Sequence, residues 1–214
     1  MTHHQAAQQA AGGGGLYALK PAFQRLLGGL ADGLVARGAA ADSLTFAAVG
    51  CAALGSGLLL AGSRQAGWLW LLWLLPPLIV VRLALNALDG LVAVRSGTAR
   101  PWGKVLNELC DRLADLLFLG PLLLVPGTDV GLGVAALVAV LLVSYLGVLA
   151  EAAGAGRQYG GPMGKADRLA WLGLASVACA ASGSLLPLQV LPAVLLGGAL
   201  LTLLQRGRRT HAAL

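Results

Sequence analysis

A chain of 214 residues that is 57% hydrophobic and only 11% charged cannot cover itself with a water-soluble surface, because soluble domains carry roughly 25% charged residues. The net charge of +6 gathers at the ends of apolar runs instead of forming a stripe. That argues against nucleic acid as a partner and for charge that orients a membrane protein. Cys51, Cys110 and Cys179 stand in separate apolar surroundings with no CxxC pair, so neither a disulfide framework nor a zinc site is expected.

Residues 1–15 (MTHHQAAQQAAGGGG) are polar and close on four glycines, the composition of a flexible tail in which His3 and His4 are solvated. No charged n-region leads into an apolar h-region, so no signal peptide is expected. In residues 16–37, Leu16, Leu19, Phe23, Leu26, Leu27, Leu30 and Leu34 recur near the helical period. Lys20, Arg25 and Asp32 fall off that stripe, which predicts an amphipathic helix lying on the membrane, kinked or restarted at Pro21. Gly38 suits its end, and Asp42 or Ser43 the N-cap of the next element.

Residues 38–205 hold about six apolar runs, each near the ~20 residues that a bilayer span needs. They lie at 44–61, 68–94, 104–125, 131–153, 167–186 and 188–204. A tight turn is expected at 62–67, an interfacial anchor at Trp68, Trp70 and Trp73, a kink at Pro76-Pro77 and a stop at Pro126-Gly127. A basic tail, 206–214, follows the last run. The predicted fold is an all-α integral membrane protein: about six transmembrane helices preceded by an amphipathic interfacial helix. Lys20, Arg25 and Arg37 precede the first span, and Arg95, Arg100 and Lys104 lie between the second and third. Arg157, Lys165 and Arg168 separate the fourth and fifth, and Arg206, Arg208 and Arg209 follow the sixth, whereas the opposite loops hold only Arg64. Both termini are therefore expected in the cytoplasm.

The segment 86–115 (NALDGLVAVRSGTARPWGKVLNELCDRLAD) breaks this apolar pattern. Ionisable groups at membrane depth are costly and mark pathways, pairings or catalytic sites. Asn86, Asp89 and Ala93 share one helical face, and Gly103, Asn107, Asp111 and Asp115 recur every four residues on another. A turn over residues 96–101 would aim the two faces at each other. Carboxylates and amide carbonyls on facing helices form a hard-oxygen site suited to Mg²⁺ or Mn²⁺, with substrate phosphates completing the shell. Gly90 and Gly103 remove bulk where a ligand or the partner backbone must approach.

The spacing resembles that of the CDP-alcohol phosphatidyltransferase family, D-x2-D-G-x2-A-R-x8-G-x3-D-x3-D. Here it reads Asn86-x2-Asp89-Gly90-x2-Ala93-Val94-x8-Gly103-x3-Asn107-x3-Asp111, with every gap matched. The resemblance covers residues 16–204 and implies the family's six-helix plan, cytoplasm-facing polar cavity and homodimer. It implies that Asn86, Asp89, Asn107 and Asp111 hold divalent metal and the CDP pyrophosphate, and that Asp111 is the general base. Gly90, Ala93 and Gly103 would line the nucleotide slot. The implied activity is transfer of a phosphatidyl or phospho-alcohol group from a CDP-linked lipid donor to an alcohol, releasing CMP, at the inner membrane.

Three positions depart from the pattern: Asn86 and Asn107 replace aspartates, and Val94 stands where arginine belongs, with Arg95 one residue late. Arg82, one turn from Asn86, adds positive charge; Glu108 points roughly 100° away from Asn107 and Asp115 lies one turn deeper. Arg157, Lys165 and Arg168 form a second basic cluster that either binds an acceptor or lipid phosphate or simply orients the chain. Gly164-Lys165 resembles a Gly-Lys pair in many family members. Glu151, on one face with Ser144, reads as an interfacial charge. A non-catalytic homologue that binds CDP-lipid or a partner is the alternative reading. A small transporter would also explain buried charge, but no matching pair of interrupted helices supports it.

The charge asymmetry makes a topological prediction. Arg100→Cys and Arg157→Cys should label from the cytoplasmic side and Thr128→Cys from the other. Labelling of positions 100 and 128 from one side would contradict it.

Overall fold

Inside lipid the backbone must satisfy its own polar groups, which leaves helices or closed barrels. The computed structural model describes residues 19–214, and among them no strand occurs. The expected tail at 1–15, with His3 and His4, and the first residues of the surface helix lie outside the described residues.

The surface element is two short helices, α1 (Lys20–Leu26) and α2 (Gly28–Ala36). They part at Leu27, while Pro21 sits in the first turn of α1, where its missing N–H is no loss. Ala31, fully buried, packs with Leu88 and Val92, and Leu27, Leu34 and Val35 pack around them. Leu26 and Leu30 stay exposed, as an interfacial helix requires. Asp32 of α2 pairs with Arg95 at 2.6 Å, fixing the helix at the polar end of the bundle.

The first long helix, α3 (Ala41–Arg64), has Ala40 at its N-cap; neither Asp42 nor Ser43 caps it, and Asp42 instead pairs with Arg100. α3 also runs through residues 62–64, where a turn was expected. A 3₁₀ helix, Ala66–Leu74, carries the exposed Trp68, Trp70 and Trp73 into α4 (Leu75–Arg95). Pro76 and Pro77 occupy the first turn of α4, so they start the α-helix rather than kink it.

α5 (Pro101–Leu119) gives way at Gly120 to a 3₁₀ turn, Gly120–Leu124, so the expected third run is α-helical for only part of its length. α6 (Val130–Ala152) is capped by Asp129, whose Oδ1 accepts from the Leu132 N–H at 2.8 Å. α7 (Lys165–Ser182) ends at Gly183 with φ +71°. α8 (Leu186–Ala213) continues far past residue 204, so the basic segment from 206 is helical through Ala213.

Among the described residues, four helices are long and apolar enough to cross a membrane: Ala41–Arg64, Gly67–Arg95, Val130–Ala152 and Leu186–Ala213. The other two expected spans, α5 and α7, carry Lys104, Glu108, Asp111, Arg112 and Asp115, and Lys165, Asp167 and Arg168. Length and composition therefore establish four of the six expected. Leu59, Leu72, Phe118, Val140, Leu172, Leu188 and Leu195 fill the centre of the bundle. Val80, Leu109, Leu142, Leu174 and Leu204 point outward, which costs nothing where the solvent is lipid.

The segment between α6 and α7 decides where Lys165 lies, and α8 pins it. The buried Arg206 guanidinium donates to Val143 O and Gly160 O, both at 2.8 Å, and to Tyr159 O at 3.1 Å. The Thr202 hydroxyl accepts from the Met163 N–H at 3.0 Å. Gly161 has φ +117°, and a Cβ there would lie 2.3 Å from Thr202 Cγ2. Gly161→Ala should therefore destabilise the protein by about 1–3 kcal/mol. Gly156→Asn, at φ +74° with open space around it, should change thermal unfolding in detergent little.

Candidate active site

α4 and α5 bring the two motif faces together, and α3 and α7 close them. On α5, Asp111 Oδ1 accepts from Asn86 Nδ2 at 2.9 Å, from Arg82 Nη2 at 3.3 Å and from the Lys165 ammonium. Lys165 also donates to Asn86 Oδ1, so Asn86 bridges carboxylate and ammonium. Asp111 Oδ2 accepts no hydrogen bond among the described residues. A turn along α4, Asp89 Oδ2 accepts from the Thr45 hydroxyl at 2.9 Å and from Asn107 Nδ2 at 2.5 Å. Its Oδ1 takes the Gly90 N–H at 2.6 Å. Asn86, Asp89, Asn107 and Asp111 thus converge as their spacing requires. A Cβ at Gly90 would meet nothing within 4 Å, so open space borders the motif there; one at Gly103 would touch only Arg100 Cγ at 3.5 Å. Ala93 is half-buried on α4.

A second ionic layer lies one turn deeper. Asp115 and Arg168, each about 1% exposed, pair at 2.7 Å, and Arg112 approaches the same carboxylate at 3.3 Å. Arg168 also donates to Val140 O at 3.3 Å and to Ser144 Oγ at 3.4 Å. Asp115 therefore serves a buried ion pair. Toward the polar end, Arg157 binds Glu108, and Glu151 at 3.3 Å, while Lys104 reaches Glu151 at 2.5 Å. Burial works to lower the Arg157 pKa, but the Glu108 and Glu151 carboxylates outweigh it and hold the guanidinium proton above its ordinary range. Tyr159 stacks below it, with the Arg157 Cζ 5.5 Å from the ring centre.

The expected basic cluster is thus distributed among four carboxylate partners: Lys165 on Asp111, Arg168 on Asp115, and Arg157 on Glu108 and Glu151. Two participants were not singled out from sequence in these roles. Thr45 is one of four hydroxyls, with Ser43, Ser56 and Ser63, in a mostly apolar helix and carries no periodic signal. Lys165 lies 54 residues from Asp111, a separation that no helical spacing encodes.

The donor set can be weighed against a divalent ion. Among the described residues no three of His, Cys, Asp and Glu converge in a metal-binding group. Four oxygen-bearing side chains do converge, and hard oxygen donors are the right type for Mg²⁺ or Mn²⁺. Their charge is low. Asp89 and Asp111 supply two negative charges, and Arg82 and Lys165 balance them. The residues fit such an ion in kind, provided a ligand brings more negative charge.

The deeper layer can be tested by itself. Breaking a buried ion pair leaves one uncompensated charge, so Arg168→Met should cost about 3–5 kcal/mol in detergent unfolding. The double change Arg168→Met with Asp115→Leu should recover most of that loss.

No family model matches the chain. The inner membrane protein YnbA of Escherichia coli is 36% identical over 165 residues, covering 77% of this chain and 80% of YnbA. The crystal structure of Mycobacterium tuberculosis phosphatidylinositol phosphate synthase (PgsA1) with CDP-DAG bound superposes with a TM-score of 0.68 at 23% identity. It covers 87% of this chain and 94% of that one. The same synthase in complex with manganese and citrate gives 0.66 at 22% identity, over 85% and 87% of the two chains. The chain belongs to one family with YnbA, and its fold is that of the CDP-alcohol phosphatidyltransferases.

Proposed function

We propose that this protein is a membrane transferase that moves a phosphatidyl or related phospho-alcohol group from a CDP-linked lipid, CDP-diacylglycerol in the first instance, to an alcohol acceptor. The observation that carries this reading is the state of Asp111. One of its oxygens is held by three donors, and the other is left open beside the converged motif. A carboxylate fixed in this way can accept a proton at Oδ2 without rotating. In the proposed reaction Asp111 takes the acceptor's hydroxyl proton, and the acceptor oxygen bonds to the β-phosphorus of the donor. The bond from that phosphorus to the oxygen bridging it to CMP breaks, and CMP leaves with the electron pair.

The remaining roles follow the motif. Gly90, Ala93 and Gly103 line the nucleotide slot, with the open space at Gly90 supporting it. Asn86, Asp89, Asn107 and Asp111 would hold Mg²⁺ or Mn²⁺, which when bound neutralises the pyrophosphate and the leaving group. The manganese in the synthase complex supports that choice of ion. Arg157 and Lys165, both partly exposed, are the candidates for an acceptor or lipid phosphate, whereas Arg168, buried against Asp115, holds the helices together. We place residues 38–205 as the catalytic unit of a homodimer in the inner membrane, with the site and both termini cytoplasmic, as the charge asymmetry indicates.

A non-catalytic protein of the same fold, binding CDP-lipid without turnover, is favoured by one observation: two of the four expected carboxylates are amides. Metal-dependent CMP release by purified protein in lipid, given CDP-diacylglycerol and a panel of alcohols, separates the two. If the proposed reaction holds, Asp111→Asn should lower turnover by about 10²–10⁴-fold, the usual contribution of a general base. CDP-lipid should still bind. Unchanged CMP release from that variant would remove Asp111 from the role.

A further inference from the structure

Asn86 and Asn107 change how the motif is held together. Two carboxylates facing each other repel and need a cation between them, whereas a carboxylate facing an amide is joined by a hydrogen bond. Both facing pairs here are of the second kind: Asn86 to Asp111 at 2.9 Å, and Asn107 to Asp89 at 2.5 Å. The Lys165 ammonium then bonds Asp111 Oδ1 and Asn86 Oδ1 together, on two of the four oxygen-bearing side chains that a metal would use. Lys165 is the first residue of α7, and its backbone is fixed from behind. Gly164 N–H donates to Asp167 Oδ2 at 3.1 Å, and the preceding turn is pinned through Met163 to Thr202. With Arg82 on the same carboxylate oxygen, both cations lie on Asp111 while Asp89 is held by neutral donors, and the formal charge of Asp89, Asp111, Arg82 and Lys165 sums to zero.

We propose that Lys165 is a built-in counter-cation that keeps divalent metal out of the donor-free site, so that metal enters only together with a pyrophosphate-bearing nucleotide. The proposal rests on the donor class assigned above. A CDP pyrophosphate brings its own negative charge, which can attract the ammonium away from Asp111, leaving Arg82 and Asn86 to hold its Oδ1, and supply the charge that Asn86 and Asn107 lack. Metal and nucleotide then bind with mutual dependence, equal in both directions by linkage. Lys165 acts here as a gate on occupancy, because it adds to the Arg82 charge and also bonds the Asn86 oxygen.

The test is Mn²⁺ binding, followed by electron paramagnetic resonance on protein in lipid nanodiscs with and without CDP. The unmodified protein should bind Mn²⁺ weakly alone and more tightly with CDP, by about the 5–150-fold typical of coupled sites. Lys165→Met and Lys165→Gln, both checked by thermal unfolding, should bind Mn²⁺ at least ~10-fold tighter without CDP, with the CDP effect reduced correspondingly. Lys104→Met, which removes an exposed lysine bonded to Glu151, should change neither value. Tight Mn²⁺ binding by the unmodified protein alone would overturn the proposal. So would Lys165 variants that bind no better than it, or a Lys104→Met protein that gains as much as they do. Binding is read without turnover, so a protein that released no CMP with any acceptor would fail as a transferase while this result stood.

Discussion

The bundle depends on the pairing of charge where water is scarce. Asp111 and Asp115, one turn apart on α5, are each met by a cation from α7, Lys165 and Arg168, and Arg82 of α4 joins the first of them. An unpaired ion in such surroundings costs several kcal/mol. The positions of α4, α5 and α7 are therefore fixed together: shifting one helix by a turn would leave a carboxylate or a guanidinium without its partner. Apolar packing alone would be more forgiving, because Leu and Val contacts re-form after small slips and lipid tails compete for the same surface.

The same pairing divides structure from chemistry. Asp115 and Arg168 are closed to solvent and hold the helices in register. Asp111 keeps one oxygen in reserve, and Asp89 is steadied by Thr45 from α3. Glu108 and Glu151 gather Arg157 and Lys104 at the polar rim. Three layers of charge thus run along α5, and the deepest, Asp115 with Arg168, is the one closed to solvent.

Much of this was legible in the sequence. The four-residue recurrence of Gly103, Asn107, Asp111 and Asp115 placed one face, and Asn86 with Asp89 placed the other, because a helix enforces those spacings on any side chain. The partners were not legible. Lys165 and Arg168 read as one basic patch with Arg157, because charge counts along a chain do not reveal which carboxylate each cation will meet. Proline misled for a related reason. Pro76 and Pro77 lie inside a long apolar run and so resemble a kink, but the run begins as a 3₁₀ helix and the prolines fall at the start of the α-helix that follows. Thr45 carried no signal, since a hydroxyl in an apolar helix usually bonds its own backbone.

The order in which the charged groups are synthesised has a consequence for assembly. Arg168 follows Asp115 by 53 residues, so a growing chain presents α5 to the membrane well before its counter-ions in α7 exist. A lone Asp at the centre of a helix opposes insertion by about 2.5–3.5 kcal/mol. α5 is therefore a reluctant entrant by itself, and α6 must be threaded before the Asp115–Arg168 pair can close. The ion pair that fixes the finished bundle is thus also the step that the nascent protein must wait for, which makes α7 the keystone of its biogenesis.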